Sequence, residues 1–175
     1  MHDTKIKLSD TVERHVLTVL VDNEAGVLAR VAGLFSGRGY NIESLTVAEV
    51  DAMARTSRIT IVTSGTPEVI EQIESQLRRL VPTHKVTNWT SAKAGIEREM
   101  ALIKVAGTGE KRVEALRMAD AFRARPVDTT HASFVFEITG SPSKIDSFVE
   151  LMRPLGLIEV SRTGVAAISR GPDAM

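Results

Sequence analysis

The sequence predicts an α+β chain made of two tandem ferredoxin-like βαββαβ domains. Three observations carry this expectation. Short β-branched apolar runs and helically spaced apolar residues follow one another in the order strand, helix, strand, strand, helix, strand. After a polar stretch that closes near residue 99, the same order begins again. The chain has 175 residues, 43% of them apolar, which suffices for two cores in domains of roughly 80–90 residues each.

In the first domain, set at 14–91, a polar and aperiodic tail (1–13) precedes HVLTVLV (15–21), a β-branched run with the look of a buried strand. Asp22-Asn23-Glu24-Ala25-Gly26 is a polar loop. Val27, Leu28, Val31, Leu34 and Phe35 then recur at helical spacing, with Arg30, Ser36 and Arg38 on the other side. Gly37 and Gly39 are expected to stop this helix in a left-handed conformation. NIESLTVAEV (41–50) and RTSRITIVTS (55–64) read as two strands joined near Asp51-Ala52. Thr66-Pro67 supplies an N-cap and an N1 proline for a helix facing inward through Val69, Ile70, Ile73, Leu77, Leu80 and Val81. KVTNWT (85–90) closes the unit.

The polar residues 92–99, with one glycine, read as a linker. The second domain, 100–171, opens with the strand MALIKVA (100–106), and Val113, Leu116, Ala119 and Phe122 mark its first helix. PVDTTH (126–131) and SFVFEIT (133–139) are strands, and Ser141-Pro142 starts a helix facing inward through Ile145, Phe148, Val149 and Met152. LIEVSRTGVAAIS (157–169) ends the unit as strand or hairpin around Gly164, before a short tail (172–175). The halves share a pattern, not residues. Leu45 and Val47 have opposite parity to Ile42, so an apolar second sheet face is expected, covered by another copy in a homodimer.

Composition excludes several chemistries. There is no cysteine, so disulfides, thiolate metal sites and cysteine nucleophiles are absent. Lys plus Arg and Asp plus Glu both number 22, which gives no global attraction to nucleic acid or anionic membrane. Aromatic residues are 4% of the chain, too few for the stacking surface of an RNA-recognition sheet. His2, His15, His84 and His131 lack zinc-ligand spacing. Gly107-Thr108-Gly109 lacks the further residues of a Rossmann or P-loop motif. Asp22, Glu24 and Glu43 have no histidine or lysine tied to them by a motif, so no catalytic residue is named. No signal peptide or membrane span is legible, and a cytoplasmic chain is expected.

The 22–26 loop is the remaining candidate. It leads into a helix whose first N–H groups lack intrahelical partners and sit at the positive end of the dipole. Gly26 removes a side chain from the approach, and Asn23 and Asn41 add neutral amides. Val27, Leu28 and Ile42 offer an apolar wall. A small zwitterion would suit this, carboxylate on the N–H groups and ammonium on amide oxygens. An equal reading is that Asn23 caps the helix and Gly26 eases the turn.

NEAGVLARVAGLFSGRGYNIESLTV (23–47) resembles the N-terminal ACT domain of small, regulatory subunits of acetohydroxyacid synthase, also called acetolactate synthase. GLFSGRGYNIESLTV is close to a signature of that family, and the N-x-x-G before a helix is common to ACT domains. IERE before a strand, and IEVSRTGVAAISRG (158–171), are similar to the family's second domain. The resemblance runs from about residue 14 to 171. It implies a non-catalytic chain without cofactor that binds and activates a catalytic subunit carrying thiamine diphosphate, Mg and FAD. It also implies feedback control by valine or a related branched-chain amino acid, and no nucleic acid or membrane partner. In this family the effector sits at an ACT dimer interface. Carried over, Asn23, Gly26 and the N–H groups of Val27 and Leu28 form one wall, and Asn41 and Ile42 come from the partner. Ala25 stands where ACT domains often carry proline. The alternative is a stand-alone ACT-type amino-acid sensor that regulates a different enzyme or a transcription system.

Overall fold

The computed structural model describes residues 11–92 and 95–175. Residues 1–10 of the expected tail and 93–94 of the expected linker lie outside the described residues. The elements run β1 (Glu13–Asp22), α1 (Val27–Arg38), β2 (Ser44–Asp51), β3 (Thr56–Gly65), α2 (Pro67–Arg79), β4 (Thr83–Asn88) and the one-turn α3 (Trp89–Ala92). They continue β5 (Gly95–Ala106), α4 (Gly109–Phe122), β6 (Arg125–Thr129), β7 (Ser133–Gly140), α5 (Pro142–Gly156), β8 (Leu157–Arg162) and β9 (Ala166–Ser169). Two compact units result, the second spanning Glu97–Ala166, with the chain from Ala167 onward grouping with the first.

The first unit is an antiparallel sheet in the order β2-β3-β1-β4. Leu17, Val19, Ile59 and Ile61 alternate onto one face and pack against Val31 and Phe35 of α1 and Ile70, Ile73 and Leu77 of α2. Thr66 caps α2 as expected, its side chain accepting from the Val69 N–H ahead of Pro67. α1 stops at Gly39, whose φ is 71°; Gly37 lies within the helix and contributes no left-handed residue. Val81, counted on the inward face of α2, lies beyond the helix and is exposed.

Val16, Thr18, Thr60 and Val62 have the opposite parity and are also buried. Their cover comes from the chain itself. α3 folds back onto β1, and the Trp89 indole N–H donates to Thr18 Oγ1 at 2.7 Å while the Val16 N–H donates to Thr90 Oγ1 at 3.1 Å. Asn88 Oδ1 accepts from the N–H groups of Thr90 and Ser91 and so starts this turn. The expectation that a second copy must cover this face is corrected to that extent. Ile42 is corrected too: it precedes β2 in a loop, strand parity does not bind it, and it packs against the same core as Leu45.

The second sheet runs β6-β7-β5-β8, with β9 also pairing to β5. Ile103, Phe136, Ile138, Ile145, Phe148 and Met152 are the fully buried centre of the second unit. Residues 95–99, read as linker, form the start of β5. Their charges hid a strand: Glu99 is buried but receives two hydrogen bonds from Arg162 of β8, at 2.6 and 2.7 Å. Arg162 also reaches Asp146 at 2.6 Å, and Glu99 beside it holds the guanidinium still more firmly in its charged form. α4 keeps half of its expected face: Ala119 is buried and Phe122 packs on the core, joined by Ala115, while Val113 and Leu116 are exposed.

Candidate functional site

β1, β2 and β3 end together, with Asp22 and Asp51 both in register with Thr56. The loop after β1 is thereby held against the β2–β3 hairpin. The Asn23 N–H donates to the Arg55 carbonyl at 2.6 Å, and Arg55 is left-handed with φ 50°. The hairpin is closed by Asp51 Oδ1, which accepts from the Ala54 N–H at 2.9 Å. Asp22 is fixed from the other side by His84 of β4, at 2.5 Å.

Asn23 does not cap α1. The N-cap is Gly26, with φ 85° and no side-chain capping bond, and the Asn23 Nδ2–H₂ donates to Glu49 Oε1 at 3.2 Å. Of the two readings of the loop, capping by Asn23 is removed. The turn at Gly26 remains, and with it an open approach: a Cβ built there would meet no atom within 4 Å. The Arg30 N–H is the first to close a helical bond, onto the Gly26 carbonyl. The N–H of Val27 reaches the Glu24 carbonyl at a long 3.4 Å, and that of Leu28 lies in the first turn, where helices offer no intrahelical acceptor.

The six residues singled out from sequence fall in two groups. Asn23, Gly26, Val27 and Leu28 lie at the start of α1, whereas Asn41 and Ile42 lie beyond its end. The groups lie at opposite ends of α1, a twelve-residue helix roughly 17 Å long. The apolar wall is smaller than expected, because the Val27 side chain is buried in the core. Leu28, counted in the core, is 43% exposed instead. Ile42 is half-buried, and the Asn41 carbonyl accepts from Thr63 Oγ1 at 2.6 Å. A cavity of about 270 Å³ opens between loop and hairpin, lined by Asp22, Asn23, Glu24, Ala54 and Arg55. Glu49, Ala54 and Arg55 were missed because only strand register brings them to the loop.

Residues 17–85 match the AHAS small subunit-like ACT domain, and residues 98–171 match the small subunit of acetolactate synthase. A probable acetolactate synthase small subunit of Archaeoglobus fulgidus is 47% identical over 158 residues, covering 90% of this chain and 98% of that protein. The chain belongs to the acetolactate synthase small-subunit family. The acetolactate synthase isozyme 3 small subunit of Escherichia coli is 43% identical, over 93% of this chain and 99% of its own length. The crystal structure of the small subunit from Thermotoga maritima shares the fold with a TM-score of 0.82 at 38% identity, over 92% of this chain and 99% of that one. As a member of this family the chain is a regulatory subunit of the holoenzyme. The loop and the hairpin that holds it both lie within the ACT domain.

Proposed function

We propose that this chain binds and activates the thiamine-diphosphate-dependent catalytic subunit of acetolactate synthase and subjects it to feedback inhibition by valine. Thiamine diphosphate, Mg and FAD belong on that catalytic partner. The observation that carries the valine reading is the open backbone at Gly26, next to first-turn N–H groups and an Asn23 amide that is not spent on capping. A valine carboxylate would accept from the N–H groups of Val27 and Leu28, and its ammonium would donate to the Asn23 carbonyl oxygen. Asn41 and Ile42 would close the pocket from the second protomer of a homodimer, which the placement of the two groups at opposite ends of α1 favours. The exposed edge of β2, where Val47 and Val50 are bare, is the surface we assign to that dimer. The setting is cytoplasmic, with neither nucleic acid nor membrane as partner.

A site shared by two protomers couples ligand binding to dimer geometry. Valine acts only through a difference in affinity between two arrangements, and the catalytic subunit must change valine affinity by the same factor in return. Selectivity is modest, since one methylene in an apolar pocket is worth about 1–3 kcal/mol, so leucine and isoleucine compete.

The test is calorimetric titration with valine, leucine and isoleucine, with and without the catalytic subunit, using a Gly26→Asp variant as control. Saturable valine binding is expected in the wild type. It should be lost in Gly26→Asp, which puts a like charge where the carboxylate belongs, while activation of the catalytic subunit is retained. A Gly26→Asp protein that stays fully valine-sensitive overturns the site.

A further inference from the structure

We infer that Glu49 is a positioning residue for the effector: it fixes the Asn23 amide so that the carbonyl oxygen, not the nitrogen, is presented to the ammonium group. This rests on the reading of the loop as an amino-acid site. An asparagine amide has a donor end and an acceptor end on opposite sides of one carbon, and a flip about χ2 exchanges them. An ammonium has only donors, so it is received by one orientation and opposed by the other. What selects the orientation must be a neighbour that distinguishes donor from acceptor.

Glu49 is such a neighbour. An ionised carboxylate only accepts, so the 3.2 Å contact between Asn23 and Glu49 Oε1 must be made by the amide nitrogen. The acceptor end is thereby turned away from Glu49, and among the described residues no donor engages Asn23 Oδ1. The backbone leaves little slack, because the Asn23 N–H is itself tied to the Arg55 carbonyl at 2.6 Å. The loop and the hairpin thus hold Asn23 at two points, main chain and side chain, and only the oxygen is uncommitted. Glu49 reaches it because β2 pairs with β3 in a register that sets Glu49 opposite Ser57, one residue from the strand ends where the loop departs.

Positioning differs measurably from direct attraction between Glu49 and the ammonium. Glutamine removes the charge and, having both a donor and an acceptor end, no longer distinguishes the two ends of the Asn23 amide, so what separates the readings is whether the effect of Glu49 passes through Asn23. In titration with valine in the presence of the catalytic subunit, Glu49→Gln should bind more weakly than wild type, because the amide orientation is no longer selected. Glu49→Ala should bind about fivefold more weakly, the scale of immobilising one side chain on binding. In an Asn23→Ala background, Glu49→Ala should cause no further loss, since its effect passes through Asn23. Wild-type affinity in Glu49→Ala overturns the inference. So does a Glu49→Gln protein that binds as tightly as wild type, or an undiminished effect of Glu49→Ala without Asn23, which would mark a direct charge contact. Failure of the site itself has a different signature: no valine binding by the wild type, or full binding by Gly26→Asp, and the inference falls with it.

Discussion

A Cβ built on Gly156 would stand 2.0 Å from the Ala106 carbonyl oxygen, whereas one built on Gly26 meets nothing within 4 Å. Both residues are left-handed, with φ 107° and 85°. Gly26→Ala therefore carries only the backbone penalty, about 1 kcal/mol. Gly156→Ala adds a collision with a strand that cannot move aside, and we expect it to lower stability by about 3 kcal/mol. Urea midpoints of the two variants check this, and equal midpoints would contradict the contact. Gly26 was legible in sequence because its role is local, between a strand and a helix. Gly156 was not, since its constraint comes from β5, fifty residues earlier in the chain. Glu49 and Arg55 escaped for the same reason: nothing in the residues around Asn23 points to them.

Helix starts were the most legible elements, because a cap is chemistry within four residues. Thr66 and Ser141 each accept from the N–H three residues on, ahead of a proline at the first helical position. Thr66→Ala should cost about 1 kcal/mol, read as a lower thermal midpoint, with the fold otherwise unchanged. Inward faces were legible where large side chains mark them. Ile145, Phe148, Val149 and Met152 of α5 are the buried set that their spacing predicts. In α4 the buried residues are alanines, Ala115 and Ala119, which pack close and leave the larger Val113 and Leu116 outside. α3 was read as the end of a strand: Trp89 and Thr90 are ordinary strand residues, and only the Asn88 cap turns them into a helix.

At the scale of the whole molecule, periodicity was enough for two βαββαβ units, and not for what covers their sheets. The buried second face of the first sheet was inferred to need another copy, but its β1 part is met by α3 of the same chain. The edge strands of that sheet are β2 and β4, and β2 is the more exposed of the two. Most of this strand is exposed, although Val47 lies opposite Ile59 on the helix-bearing side of the sheet. Homodimer formation through that edge predicts that Val47→Lys shifts the chain toward monomer and weakens valine binding along with it. Sedimentation of the variant at micromolar concentration checks the first effect, and an unchanged dimer would place the contact elsewhere.

Trp89 is the chain's single tryptophan and Tyr40 its single tyrosine, and both belong to the first unit, while the second carries only phenylalanines among its aromatic residues. The indole is buried and its N–H is bonded to the middle of β1, the strand that runs into the 22–26 loop. Intrinsic fluorescence excited at the indole band therefore reports on the ACT unit alone. The protein carries its own optical gauge of that sheet, and no label need be introduced to follow it.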